Sequence, residues 1–205
     1  MLCTANNLWP TTRSLIYPER DLTLVKFVVC ITGASGIAYG VRLLQELPGH
    51  KTLVVSRTAK EILRYECNMA YEELCTQADE FYEDDDLMSP LASGSNAVDA
   101  VFIAPCSMST LSKISHGIAD TLITRIATVC LKEHRKLILI PRETPKSEFM
   151  LENELRLARI GAVILDANPA FYHLPSSAND MVAFIVGRAL EQIGINHNLY
   201  RRWGE

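Results

Sequence analysis

The sequence predicts an α/β protein: one domain with a doubly wound parallel sheet and helices on both faces. Three observations lead there. Short apolar runs alternate with helix-period segments, the runs are apolar without a polar alternate, and the loops after them are rich in Gly, Ser and Thr. Strands buried on both faces read as continuous hydrophobic runs, and βαβ alternation builds parallel sheets. A chain of 205 residues that is 48% hydrophobic can bury one sizeable core.

Five runs rich in Val, Ile and Leu read as strands: residues 26–31, 51–55, 99–104, 136–141 and 162–166. Helical periodicity marks residues 37–47, 57–67, 110–116 with 120–131, 147–160 and 177–193. The second and third runs are joined by a longer stretch, residues 68–98, that contains the acidic run Glu83-Asp84-Asp85-Asp86. Without the Gly and spaced oxygen ligands of a calcium loop, that run reads as solvated surface. Residues 1–25 read as an N-terminal extension, and residues 26–205 as the domain.

A formal charge of −4 gives no overall field for nucleic acid or anionic lipid. No apolar run approaches the roughly 20 residues of a bilayer span, and residues 1–25 lack the continuous apolar core of a signal peptide. Six cysteines (Cys3, Cys30, Cys67, Cys75, Cys106 and Cys130) are dispersed without CxxC or metal-type spacing, which fits a reducing cytoplasm. Cys30 and Cys130 read as buried small hydrophobes, and Cys106 as a strand-end loop residue.

Ligands of open α/β sheets bind outside the carboxyl ends of the strands, so the loops there form one candidate site. The first is Thr32-Gly33-Ala34-Ser35-Gly36, opening directly into a helix whose N-terminal amides suit an anion. Its G-x-x-G-x-x-x-G spacing (Gly33, Gly36, Gly40) is not a dinucleotide fingerprint, and no acidic residue closes the second strand. Ser56 follows the second strand, placed either to cap the next helix or to bond a ligand. The third strand leads into Cys106-Ser107-Met108-Ser109-Thr110, with Ser93-Gly94-Ser95 upstream. Arg142-Glu143 follows the fourth strand between prolines, either as a surface ion pair or as ligand-edge charge. The fifth leads to Phe171-Tyr172-His173-Leu174-Pro175, where Tyr172 is a better anion donor than His173 is a base.

Thr-Gly-Ala-Ser-Gly, Ser-Gly-Ser, Pro-Cys-Ser-x-x-Thr, Leu-Lys-Glu-x-Arg, Pro-Arg-Glu-Thr-Pro, Phe-Tyr-His-x-Pro and Arg-Trp-Gly-Glu occur in this order. Together they resemble the flavin prenyltransferase family, formerly described as aromatic-acid decarboxylases, over residues 26–205. The resemblance implies a Rossmann-like flavoprotein fold and transfer of a dimethylallyl group from dimethylallyl monophosphate to N5 and C6 of reduced FMN, without a metal ion. It also implies a homododecamer with intersubunit sites and delivery of prenylated FMN to a partner decarboxylase.

Residue by residue, it implies FMN contacts at Gly33, Ala34, Ser35, Ser56, Ser107, Met108, Ser109, Thr110 and Arg142. Tyr172 and Arg188 match prenyl-phosphate ligands. Lys132 is expected to join them from an adjacent subunit, with Arg125, Ser93 and Gly94 in the same pocket. Glu143 and Glu66 match acidic positions tied to proton handling, and Trp203 a terminal aromatic closing over the site. Breaking an allylic C–O bond requires fixed positive charge on the leaving phosphate and a π surface for the allyl fragment, which these residue types offer. From the residues alone, Lys132 also reads as a solvent-facing helix end, Glu66 as a partner of Arg64 or Arg57, Arg188 as a snorkelling surface residue and Trp203 as tail packing.

Two other readings are set against this one. An FMN-dependent cysteine decarboxylase shares the fold, but its catalytic His belongs on the helix at residues 57–67, which has none. An FMN carrier has no use for Arg142, Tyr172, Lys132 and Arg188 together.

Overall fold

Continuous burial of the β-branched runs makes one parallel sheet of six strands. A computed structural model describes residues 24–204. In chain order the elements are β1 (Lys26–Ile31), α1 (Ile37–Glu46), β2 (His50–Val55), α2 (Arg57–Cys67), α3 (Tyr71–Cys75), β3 (Glu80–Glu83), β4 (Ala100–Cys106), α4 (Met108–Ser115), α5 (Leu122–Lys132), β5 (Lys136–Pro141), α6 (Glu148–Arg159), β6 (Val163–Ile164) and α7 (Ala178–Glu191). The strand order is β3-β2-β1-β4-β5-β6, with every pairing parallel.

The period-two pattern of the strands sorts the core into two layers. Phe27, Val29 and Ile31 of β1 face a cluster built with α1, α2, α3 and α7, whereas Val28 and Cys30 face one built with α4, α5 and α6. The winding therefore reverses between β1 and β4, and the crevice outside their carboxyl ends is the switch point where ligands of such sheets bind. The fold class expected from the sequence is the one observed.

Several expectations change. The stretch 68–98 is not merely a connection: it holds α3 and the edge strand β3, whose Glu80-Phe81-Tyr82-Glu83 lacks an apolar run because the edge is largely solvent-facing. The acidic run is partly structural. Glu83 pairs with Lys60, and Asp84 accepts the Ile123 amide at 2.9 Å, fixing the start of α5 beside the end of β3. Cys106 is the last residue of β4 and fully buried, not a loop thiol, and burial pushes its thiol pKa up. Val25, within the expected extension, is buried, and its carbonyl accepts the His50 amide at 2.9 Å. Of the rest of the expected extension, Leu24 is exposed and residues 1–23 lie outside the described residues. No helix among the described residues is long and apolar enough to cross a membrane.

Candidate functional site at the strand ends

The two loops at the switch point are tied together by one hydroxyl. Thr32, at the end of β1 and 1% exposed, donates its Oγ1 hydrogen to the Pro105 carbonyl at 2.8 Å and accepts the Ser107 amide at 2.7 Å. Ser107 in turn caps α4, its Oγ accepting the Thr110 amide at 3.2 Å and lying 3.0 Å from the Thr110 hydroxyl. Ser109 is exposed and Thr110 half-buried, whereas the Met108 side chain turns into the core. On the next strand end Ser56 caps α2, accepting the Ala59 amide at 3.3 Å.

Gly33 and Gly40 let these elements close up. A Cβ on Gly33 would stand 2.8 Å from the Thr58 side chain, and one on Gly40 would stand 2.2 Å from the Ala104 carbonyl oxygen. Ala34 is buried beside them and Ser35 is exposed.

The N-terminus of α1 receives an anion from the chain itself. Glu66, at the far end of α2, accepts the Gly36 and Ile37 amides at 2.8 and 2.9 Å. Desolvation pushes its pKa up, but hydrogen bonds from Ser35, Gly36 and Ile37 and the charge of Arg142 outweigh that and hold it low. Glu66 is therefore neither a partner of Arg57 or Arg64 nor a bystander, because it sits beside Ser35 in the first loop. Two of the helix amides expected to be free for a ligand phosphate are engaged by this carboxylate.

Arg142 stands over the same corner, its Cγ 3.9 Å from where a Gly36 Cβ would be. Its Nε is buried without a hydrogen-bond partner among the described residues, a donor left for something else. Glu143 turns back on its own loop and accepts the Thr144 amide at 3.0 Å. Lys146 anchors that loop to the body through Glu154, at 2.8 Å, and Asp166.

A second group of side chains gathers on the loop after β6. Tyr172 meets Trp203 edge-on at 5.2 Å and Phe184 of α7 at 5.8 Å, and Phe184 meets Tyr200 at 4.6 Å. His173 stacks on Phe184 at 5.1 Å, with both ring nitrogens buried and unpartnered among the described residues. Arg188 pairs with Glu191 rather than snorkelling freely. Trp203 is 79% exposed, so in a single chain it contacts Tyr172 but does not cover it.

Lys132, Arg125, Ser93 and Gly94 form a third group along α5, whose start lies beside the end of β3. Lys132 closes α5 just before β5 begins, which places it at the amino edge of the sheet, opposite Arg142. It pairs with Glu133, and a Cβ on Gly94 would come within 2.9 Å of its Nζ. Arg125 Nε donates to the Ala92 carbonyl at 2.9 Å, and the Ser93 and Ser95 hydroxyls bond each other at 2.9 Å.

The sequence places Thr32 in the first ligand loop but gives no sign of its bonds to Pro105 and Ser107, and it does not single out Glu191 or Tyr200. The signal for Glu191 was its i,i+3 spacing from Arg188 on one helix face. Tyr200 had none, because its partner is fixed only by the return of the chain onto α7.

Comparison with known proteins agrees with this geometry. The Flavoprotein family model matches residues 16–190. The flavin prenyltransferase UbiX of Methanocaldococcus jannaschii is 47% identical over 182 residues, covering 88% of this chain and 99% of that protein. Its counterpart from Thermoplasma acidophilum is 48% identical over 180 residues, covering 87% and 100%. Among solved structures, AnUbiX (PadA1) in complex with FMN and dimethylallyl pyrophosphate superposes with a TM-score of 0.87 at 37% identity, covering 89% of this chain and 98% of that one. A dodecameric FMN-dependent UbiX-like decarboxylase from Escherichia coli O157:H7 gives 0.86 at 40%, covering 88% and 100%. The FMN-dependent cysteine decarboxylase TvaF, at 21% identity and a TM-score of 0.57, shares the fold alone. This chain belongs to the UbiX-type flavin prenyltransferase family of flavoproteins.

Proposed function

We propose that this protein joins the dimethylallyl group of dimethylallyl monophosphate to N5 and C6 of reduced FMN, making prenylated FMN for a partner decarboxylase. The observation that carries the reading is Arg142 Nε, a buried donor at the carboxyl edge with no partner among the described residues, in a corner already lined by Ser35 and the Thr32-latched Ser107 loop. These residues fit a polar, flat ligand held by loop hydroxyls and amides, with Gly33, Ala34, Ser35, Ser56, Ser107, Ser109 and Thr110 around it. Met108 supports from the core side.

FMN, when bound, supplies the two atoms that accept the allyl unit. The chain's own residues do the rest. The phenol of Tyr172 and the guanidinium of Arg188 hold the leaving phosphate, joined by Lys132 and Arg125 of a neighbouring copy, since in one chain Lys132 lies at the opposite edge of the sheet. Fixed cations there stabilise negative charge as the C–O bond breaks. Trp203 offers a π face to the positive allyl fragment. Glu66, held ionised by its four neighbours, and Glu143 are the two carboxylates that would handle the proton released when the flavin is prenylated.

An assembly of the dodecameric kind described for the Escherichia coli relative would complete this site, and Phe149, Leu151 and Leu155, exposed on α6, give a single chain apolar surface to cover. The described cysteines are all free thiols, which supports a reducing cytoplasm. The test is direct: supply reduced FMN and dimethylallyl monophosphate, or in parallel the diphosphate, without oxygen, and look for the heavier flavin by mass spectrometry. Bound FMN that never gains mass with either donor would overturn the transferase reading and favour a carrier.

A further inference from the structure

The end of α7 carries a cluster centred on Glu191, a residue outside the motifs of the family resemblance. Glu191 is 19% exposed at its side chain, and four polar side chains surround its carboxylate, two of which, Arg188 and Tyr200, hydrogen-bond to it. Oε2 pairs with Arg188. Oε1 accepts the Tyr200 hydroxyl at 2.9 Å and stands 3.5 Å from His197 Nε2 and 3.6 Å from Arg202. Three of those four belong to the segment after α7, residues 195–204, which folds back along the helix. Gly187, one turn earlier, makes the fit possible: a Cβ there would stand 2.5 Å from His197 Cε1 and 2.6 Å from Tyr200 Cε1. The His197 side chain is 4% exposed in that gap. The returned segment ends by placing Trp203 against Tyr172.

We propose that Glu191 is a positioning residue: one carboxylate orients Arg188 and clamps the returning segment, so that the phosphate-binding cation and the Trp203–Tyr172 pair are set by the same anchor. It touches neither ligand itself. A long guanidinium left without a partner samples many rotamers, and ordering it costs binding free energy. Anchoring by a charge-assisted hydrogen bond removes much of that cost in advance. Because the same carboxylate holds Tyr200, loosening the segment and loosening Arg188 are coupled through it. This rests on the proposed function for what Arg188 and Trp203 do, but not for the anchoring itself.

The experiment uses the full-length, FMN-loaded protein with Glu191→Ala, Glu191→Gln and Gly187→Ala. Amide hydrogen exchange over residues 195–204, affinity for inorganic phosphate, and KM and kcat for dimethylallyl monophosphate are measured. For E191A we expect faster exchange in that segment and phosphate affinity and KM each worse by at least about tenfold, with FMN affinity unchanged. E191Q keeps an acceptor for Tyr200 and should fall between E191A and the parent. G187A leaves the Arg188–Glu191 pair in place, so it should free the segment and raise KM while weakening phosphate binding less than E191A does. Should E191A not fold, E191Q and G187A carry the comparison. Unchanged exchange or unchanged phosphate affinity in the Glu191 variants overturns the proposal, as does a loss of FMN affinity in step with phosphate affinity. If the parent protein makes no prenylated flavin, the transferase reading fails, while exchange and phosphate binding still decide the anchor.

Discussion

The hydroxyl of Thr32 and the amide of Ser107, 75 residues apart in sequence, meet at 2.7 Å and fasten the ends of β1 and β4 at the point where the sheet reverses its winding. Thr32→Val keeps the shape but leaves the Ser107 amide without its partner, while the Pro105 carbonyl retains the Thr32 amide at 3.2 Å. An unsatisfied buried donor costs about 1–3 kcal/mol. Urea unfolding should show that loss, with weaker FMN binding, and Thr32→Ser should restore most of both. A Val variant as stable as the parent would show the latch to be incidental.

Gly40 sets how closely α1 approaches β4. An added Cβ would lie 2.2 Å from the Ala104 carbonyl oxygen and 2.8 Å from the Ile31 side chain. Backbone cannot give way as a flexible side chain does, so Gly40→Ala should destabilise by about 2–3 kcal/mol despite the better helix propensity of Ala. Thermal unfolding measures it directly, and a rise in melting temperature would contradict the close approach.

How much of this was legible in the sequence follows from the range over which each feature is determined. The bounds of β1, β5 and α2 were read residue for residue, because an uninterrupted apolar run or a helical face is local information. The strand-end loops were legible for the same reason: small and hydroxyl-bearing residues stand out at the ends of such runs. β3 was not, since an exposed edge strand with Glu at both ends has no apolar signature. Nor was the engagement of Glu66 with Gly36 and Ile37, or of Glu191 with Tyr200, because pairing partners across the fold depend on where helices pack. The separation of Lys132 from Arg142 follows from topology alone, and no spacing between them along the chain encodes it.

Glu66 makes the first loop sensitive to acid. Its folded pKa lies below its ordinary value of 4.5, so its contribution is fully present above that value and disappears as pH falls through the lower folded one. A carboxylate at a helix N-terminus contributes about 0.3–1 kcal/mol at an exposed site. Glu66→Gln should therefore be less stable than the parent at pH 7 by that order, and the gap should close in strong acid. Urea midpoints at several pH values test this, and a gap that persists undiminished in acid would mean that charge is not the cause.

Lys146 governs the loop carrying Arg142 and Glu143. Its side chain is 16% exposed and bridges Glu154 of α6, itself 11% exposed, and Asp166 after β6. Lys146→Met leaves Glu154 buried with its counter-charge removed, and breaking one side of such a pair costs about 3–5 kcal/mol when burial is complete. Residual exposure puts the expected loss at the lower end, about 3 kcal/mol. Lys146→Met with Glu154→Gln should recover part of that stability, read from unfolding midpoints, while failure to recover would place the loss elsewhere.

Tyr172 and Arg188 stand on other elements of the fold than Arg142 does. Tyr172 belongs to the aromatic group with Trp203 and Phe184, whereas Arg142 and the latched loops lie around the switch point. If Tyr172 and Arg188 hold the prenyl phosphate and Arg142 holds FMN, the variants must divide along that line. Tyr172→Phe removes one hydroxyl from the chain while leaving ring packing intact, so kcat/KM for dimethylallyl monophosphate should fall by about tenfold or more with FMN affinity unchanged. Arg188→Ala should fall further, because a fixed cation acts most strongly on the charge that develops as the phosphate leaves. Arg142→Ala should do the reverse, weakening FMN binding first. Equal losses of FMN affinity and prenyl transfer in all three would mean that the residues support one undivided pocket, and the assignment of separate roles would fall.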